Sequence, residues 1–249
     1  MAFIAPDGLH VDDADGVRLI RFDRPKARNA FNQVVWLGLA DALTDAAADD
    51  SLRCVVLTGT DPAFTAGQDL KEMSDPSVFV DQVPGYQVLM PVVESFPKPL
   101  LAAVNGVAVG IGLTLLAHCD LVLISDAATL RAPFISLGVT TEASASVLLP
   151  ERMGAQRAAE VLFCEPWLTP DDAVADGLAL RVVPHAELLD QTMALARHIG
   201  GLPLAPVVAT KRLLLAGKAD AIAAARQREL DMFEILVGDM MAEGRMPGT

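Results

Sequence analysis

Lys98-Pro99-Leu100-Leu101-Ala102-Ala103-Val104-Asn105-Gly106-Val107-Ala108-Val109-Gly110-Ile111-Gly112-Leu113-Thr114-Leu115-Leu116-Ala117-His118-Cys119-Asp120 is the stretch on which the reading of this chain turns. The apolar run Leu100–Val104, entered from Pro99, has the length and composition of a buried strand. Asn105-Gly106 breaks it as a turn. From Gly110 onward Leu113, Leu116 and Ala117 fall at helical spacing, which predicts a buried helix beginning there. A strand, a glycine-rich turn and a helix N-terminus together aim free backbone N–H groups at one point. Glycine also lets a ligand approach that backbone closely. Such a place suits a developing negative charge, on phosphate or on an enolate oxygen. Taken alone, the residues are described equally well as a glycine-rich packing joint.

Three other readings fail. A membrane span across Leu100–Ala117 is opposed by Asn105 and by Gly106, Gly110 and Gly112 at its centre. A phosphate-binding P-loop would end in Gly-Lys-Ser/Thr, and a dinucleotide fingerprint would carry a third glycine; neither pattern is here.

The 249 residues suffice for one large domain or a domain with an appendage. A net charge of −13 argues against nucleic-acid binding and against an anionic membrane surface. An anionic ligand would need local positive charge or backbone N–H groups. Cys54, Cys119 and Cys164 are scattered and odd in number, with no metal-ligand spacing, so buried reduced thiols are expected, with no metal and no disulfide. No secretory or transit pattern opens the sequence and no peroxisomal address closes it, so a cytoplasmic location is expected.

Outward from the central stretch, Gly16–Phe22 alternates as a strand and runs into the basic loop Pro25–Ala30, which reads either as a phosphate contact or as solvated charge. Val34–Ala48 places Val35, Leu39, Ala42, Leu43 and Ala46 on one helical face. Arg53–Thr58 is a buried strand, Gly59–Asp69 a loop, Leu70–Val83 a polar region with short helices, and Val88–Phe96 a helix. Beyond the stretch, Leu121–Ile124 is a strand, Thr129–Leu137 an extended segment, and Glu142–Met153 and Ala155–Cys164 are helices. Thr169-Pro170-Asp171-Asp172 caps a third helix, and Leu180–Val183 is the last strand. Leu188–Ile199, Ala205–Leu215 and Ala219–Met241 read as three further helices. The result is an α/β core, residues 1–184, followed by a helical region, 185–249, whose apolar faces call for a partner subunit.

Several motifs in fixed order resemble the crotonase (enoyl-CoA hydratase/isomerase) superfamily. They are Arg24-Pro25-Lys26-Ala27-Arg28-Asn29-Ala30, Phe64-Thr65-Ala66-Gly67-Gln68-Asp69, the stretch Lys98–Asp120, and Leu168-Thr169 through Asp176-Gly177-Leu178 to Val182-Val183-Pro184. The resemblance implies a spiral of ββα units with C-terminal helices that build a homotrimer or a hexamer. It also implies an acyl-CoA thioester as substrate, with no separate cofactor. The thioester oxygen would lie between the backbone N–H groups of Gln68 and Ile111. Lys26, Ala27 and Arg28, together with Ala66, Gly67, Asp69 and Leu70, would contact nucleotide and pantetheine. Gly110, Thr114 and Phe134 would line the substrate.

The sequence departs from the hydratases at the two positions where those enzymes carry glutamates: Thr114 and Phe134 stand there. Neither side chain can activate water or return a proton. Phe134-Ile135-Ser136-Leu137-Gly138-Val139-Thr140-Thr141-Glu142-Ala143-Ser144-Ala145-Ser146 instead resembles the peroxisomal-type Δ3,Δ2-enoyl-CoA isomerases of fatty acid β-oxidation, whose single acid/base glutamate corresponds to Glu142. The plainer account of Glu142 is an acidic residue in the first turn of a helix, where the dipole would lower its pKa. Phe134, Leu137 and Val139 as apolar neighbours would oppose that shift. His118 reads as a satisfied core histidine, Asp69 and Asp120 as turn-holders, Glu72 and Asp75 as surface, and Thr114 as able to hold a water. Lys211 or Phe233 are candidates to close the site from the C-terminal helices. Other acyl-CoA chemistry, such as thioester hydrolysis or decarboxylation, and non-catalytic acyl-CoA binding remain as alternatives.

Overall fold

The structure, a computed structural model, describes residues 3–74 and 82–245. Two sheets organise it. β1 (Leu9–Ala14) and β2 (Val17–Phe22) form a hairpin, closed by Asp15-Gly16 with both residues left-handed. β2 then pairs in parallel with β3 (Cys54–Gly59), β3 with β5 (Leu100–Val104), β5 with β7 (Leu121–Ser125), and β7 with β9 (Arg181–Val183). The second sheet consists of β4 (Ala63–Thr65), β6 (Val107–Val109) and β8 (Thr129–Arg131), all parallel. A long strand of the first sheet, a short strand of the second and a helical segment thus recur three times.

The large sheet is buried on both faces, which is why β3 and β5 are unbroken apolar runs rather than alternating ones. One face carries Val55, Leu57, Leu100, Ala102 and Val104 into the main core with α1 (Gln33–Ala48) and α3 (Gly85–Glu94). The other carries Val17, Cys54, Val56, Leu101 and Ala103 against Leu188 and Ala196 of α8 (Leu188–Gly200). Asn32 caps α1 by accepting from the Val35 N–H at 3.1 Å. Thr169 and Asp172 form a reciprocal capping box on α7 (Pro170–Ala175), as the sequence predicts.

α9 (Leu204–Ala216) and α10 (Ala219–Ala242) complete the chain. Lys211 of α9 donates to Lys98 O at 2.7 Å and to Asp120 Oδ2 at 2.8 Å, and the same carboxylate accepts the Leu100 N–H at 2.7 Å. Asp120 therefore holds a turn, as expected. Lys211 is buried in this ion pair and does not close a site, contrary to expectation. Phe233 packs on the core.

Several sequence expectations need correction. The loop 59–69 contains β4, and the helix expected from Gly110 is only one turn, α4 (Ile111–Thr114), continued by a 3-10 turn over Leu115–His118. β6 separates it from β5. The extended segment from Thr129 ends at Arg131. Of the polar region after Asp69, Leu70–Met73 is a short helix, α2, and Asp75 lies outside the described residues. Cys164 is exposed rather than buried, at the end of α6 (Ala155–Cys164). No single helix among the described residues is long and apolar enough to cross a membrane.

Candidate active site

The carboxyl ends of β4 and β6 deliver the two turns that the sequence singled out. After Thr65 the chain bends through Gly67 at φ 94°, and after Val109 through Gly110 at φ 58°. These left-handed values favour glycine. The turns lie against each other: a Cβ on Gly67 would stand 2.8 Å from Val109 O, and one on Gly110 would stand 4.0 Å from Gly67 Cα and from Phe134 Cε1. Neighbouring amides are spoken for. Gly67 N donates to Thr65 Oγ1 (3.1 Å), Asp69 N to Phe31 O (2.9 Å) and Gly110 N to Arg131 O (2.9 Å). Among the described residues the amide of Gln68, between Gly67 and Asp69, and that of Ile111, next to Gly110, have no acceptor outside regular helices and strands. Unpaired amides on two adjoining turns are the kind of donors that an oxyanion site uses.

A network of neutral groups holds the first turn. Thr65 Oγ1 donates to Asn29 O at 2.7 Å. Asn29 Nδ2 donates to Thr60 O and Ala63 O, both at 2.7 Å, and its Oδ1 accepts the Arg24 N–H. The Gln68 side chain accepts from Trp36 Nε1 at 2.8 Å. The Ala66 N–H donates to Arg28 O at 2.9 Å, which joins the basic loop to the turn while Lys26 and Arg28 stay exposed. Asp69 caps α2 through Lys71 N and pairs with Arg24 at 2.9 Å, and Leu70 is exposed beside it. Glu72 is not a free surface residue: it accepts the Gln33 N–H at 2.6 Å, and burial raises its pKa.

The two hydratase positions are filled by inert groups. Thr114 is buried and its hydroxyl donates back to Gly110 O at 3.4 Å. Phe134 is 6 % exposed and forms a wall beside Gly110.

Glu142 is not in a helix. Ala143 and Ser144 follow it with φ 59° and 58°, and α5 (Ala145–Met153) begins only after them. The helix-dipole account of Glu142 therefore falls, because its carboxylate precedes a left-handed turn rather than occupying a first helical turn. That turn is fixed from three sides. Tyr86 of α3 accepts the Ala143 N–H on its hydroxyl at 2.7 Å. His118 meets Ala143 O through Nε2 at 2.7 Å; burial pushes its pKa down to about 4, and a carbonyl only accepts, so His118 is neutral with its proton on Nε2. Glu229 of α10 accepts the Ser144 and Ser146 N–H groups at 2.7 and 2.9 Å.

The Glu142 carboxyl itself is recessed but keeps some solvent access, and it accepts no hydrogen bond among the described residues. Burial first, and the charge of Glu229 second, raise its pKa to about 8. A contact chain links it to the oxyanion turn: Tyr86 packs edge-on against Trp36 at 5.6 Å between ring centres, and Trp36 holds Gln68. A cavity of about 340 Å³ lies between the 135–140 loop and α10, lined by Ile135, Gly138, Val139, Thr140, Met232 and Leu236.

Sequence reasoning missed Tyr86, Trp36 and Glu229. Tyr86 is the single tyrosine of an aromatic-poor chain, which was the one readable signal. Among the described residues no group of three His, Cys, Asp or Glu side chains is placed to hold a metal ion.

Residues 12–245 match the enoyl-CoA hydratase/isomerase family. A 4-chlorobenzoyl coenzyme A dehalogenase-2 from an Arthrobacter species is 32% identical over 236 residues, 92% of this chain and 86% of the relative. The peroxisomal enoyl-CoA delta isomerase 3 of Mus musculus is 38% identical over 181 residues, 71% of this chain and 57% of the mouse protein. The crystal structure of an enoyl-CoA hydratase/isomerase from Pseudoalteromonas atlantica superposes with a TM-score of 0.90 at 31% identity, covering 98% of this chain and 100% of the other. The strand–short strand–helix spiral, the paired turns with free amides and these likenesses together make the chain a member of the crotonase, or enoyl-CoA hydratase/isomerase, family.

Proposed function

We propose that the protein is a Δ3,Δ2-enoyl-CoA isomerase with Glu142 as its single acid/base. The thioester oxygen is received by the Gln68 and Ile111 amides. Glu142 removes a proton from C2, the C–H electron pair forms a C1–C2 double bond while the carbonyl pair moves onto that oxygen, and the resulting dienolate, still carrying its C3–C4 double bond, is held by the two N–H donors. The same carboxyl group then gives the proton to C4, which leaves the double bond conjugated between C2 and C3. No water is consumed, so Thr114 and Phe134 at the hydratase positions are compatible with turnover. Donors of this kind are each worth roughly 2.7–4 kcal/mol in the transition state.

One observation carries the reading: a lone carboxyl group with no hydrogen-bond partner and a pKa raised to about 8, on a turn linked through Tyr86 and Trp36 to the free amide of Gln68. A base poised near neutrality can both take and return a proton. The similarity to the mouse isomerase supports it further. The similarity to the Arthrobacter dehalogenase favours a second reading, in which the carboxylate acts as a nucleophile on an aroyl-CoA.

The Lys26–Arg28 loop is proposed to meet the nucleotide phosphates. We also read the protein as a homotrimer or dimer of trimers. Leu213 and Leu214 of α9 are 77 % and 68 % exposed, beside an apolar groove of about 550 Å³ between α8, α9 and the Pro99 and Leu121 ends of the sheet. Sedimentation of the purified chain checks the assembly.

The deciding experiment follows conjugated thioester absorbance with a 3-enoyl-CoA for wild type and Glu142→Ala. Turnover that disappears in the folded variant upholds the isomerase. Equal turnover in both removes Glu142 from the chemistry. Chloride release from 4-chlorobenzoyl-CoA without isomerisation establishes the second reading in its place.

A further inference from the structure

The turn that carries Glu142 is an unlikely conformation held by an unusual set of partners. Two consecutive residues with a Cβ, Ala143 and Ser144, are left-handed, a state that persists only where surrounding groups over-determine it. The groups that do so come from distant parts of the chain. Tyr86 and His118 take the N–H and the carbonyl of Ala143. Glu229, more than eighty residues away, takes the N–H groups of Ser144 and Ser146, one on each carboxylate oxygen. The Ser144 hydroxyl donates to Ile222 O of the same helix at 2.9 Å.

The charges around this turn are unbalanced. Arg226 of α10 presents Nε to both oxygens of Glu94, at 3.0 and 3.1 Å, so its charge is committed to α3. Glu229 is buried and pairs with no cation among the described residues. The groups acting on Glu142 are Glu229 from α10 and Tyr86 from α3, while Glu94 of α3 meets the same turn at Ser144 Oγ (3.2 Å) and neutral His118, from the 3-10 turn after α4, meets it at Ala143 O. Tyr86 keeps its proton, because burial and the neighbouring carboxylates all push its pKa up.

We propose that Glu229 is a positioning residue for Glu142: it clamps the left-handed turn through two backbone amides and places an uncompensated negative charge beside the base, so that α10 sets both the aim of the base and the pH range in which it works. The inference rests on Glu142 being the base. Two functions meet in one carboxylate. The bidentate acceptance of Ser144 N and Ser146 N fixes geometry, and the charge makes loss of the Glu142 proton harder. The Glu229 charge acts on the Glu142 carboxyl across the turn that it clamps, which predicts a coupled titration.

The test compares kcat/KM against pH for wild type, Glu229→Gln and Glu229→Asp, together with a direct titration of the glutamate carboxyl carbons by NMR. Glu229→Gln removes the charge and one acceptor. Its acid limb should move to lower pH and its kcat should fall about tenfold to hundredfold through misplacement of the base, with KM nearly unchanged. Glu229→Asp keeps the charge, so its limb should stay where wild type has it while kcat drops. In the wild-type protein the Glu142 carboxyl signal should titrate in two steps coupled to Glu229. An unmoved limb in a folded, active Glu229→Gln overturns the proposal, as does a single independent titration of Glu142 in the wild type. Should Glu142→Gln retain full isomerisation while the NMR coupling is present, the assignment of the base fails and the clamp stands; the two failures are thus distinct.

Discussion

Replacing Glu142 with glutamine should stabilise the protein even as it removes the proposed base, and the gain should exist only toward alkaline pH. The carboxyl rises from an ordinary 4.5 to about 8 on folding, through burial and then through the charge of Glu229. A folded value above the unfolded one means that between these two pH values the native protein holds a proton that the unfolded chain has released. Stability therefore falls as pH rises through that window and levels off above it. At about 1.36 kcal/mol per pKa unit, the full penalty above pH 8 is on the order of 5 kcal/mol. Solvent reaching the open side of the carboxylate screens part of this, and we expect about 2 kcal/mol to be recovered. Glutamine fills the same volume and forfeits no hydrogen bond among the described residues. For a chain of this length the gain corresponds to about 4–8 °C in Tm at pH 9, and to almost nothing at pH 4. The assay is thermal unfolding followed by circular dichroism at pH 4, 6, 7.5 and 9 and one protein concentration. A difference between variant and wild type that is flat across pH, or a variant less stable at pH 9, would refute the reasoning.

Other outcomes follow from the same geometry. Gly110→Ala meets only ordinary contacts at 4.0 Å, so its cost comes from φ 58°, ψ −119°; we expect a loss of about 1–3 kcal/mol in stability and about a hundredfold in kcat as the Ile111 amide is displaced. Lys26→Glu with Arg28→Glu should leave Tm nearly unchanged, since both side chains are exposed, yet raise KM for CoA thioesters at low salt; KM for a pantetheine thioester without the nucleotide should not move. Lys211→Met strands the Asp120 carboxylate and should lower stability by about 3 kcal/mol; urea unfolding at pH 7 reads it directly.

Most of what positions the site was legible because it rests on short-range patterns. Leu100–Val104 is a strand because its face-independent apolarity matches burial on both sides, and the turn at Gly110 follows from a backbone conformation that favours glycine. Thr169 and Asp172 form the capping box that their spacing announces. Elsewhere the pattern was too short or too polar. β4 and β6 are three residues each, long enough to pair but too short to show a period. β1 is an edge strand with a mostly exposed, acidic sequence, and its identity comes from the Asp15-Gly16 hairpin rather than from apolar alternation. The start of α5 was misplaced by three residues because Ala143 and Ser144 adopt left-handed angles with no glycine to announce them. What forces those angles is the set Tyr86, His118 and Glu229, which no local window contains. The carboxylate was found through a family resemblance, and the environment that gives it a raised pKa was visible only in three dimensions.

The small parallel sheet has a consequence for how such a protein changes its trade. β4, β6 and β8 point the same way, and the segments leaving their carboxyl ends each carry one part of the proposed site: the Gln68 amide, the Ile111 amide, and the path through Phe134 to Glu142. In that reading the first two grip the carbonyl with main chain alone, so they are indifferent to most side-chain mutations. The third holds the proposed reagent on a separate, side-chain-braced turn. Evolution can therefore rewrite the reagent one residue at a time while every intermediate still binds its thioester. An isomerase and a dehalogenase, both similar to this chain, fit such an arrangement.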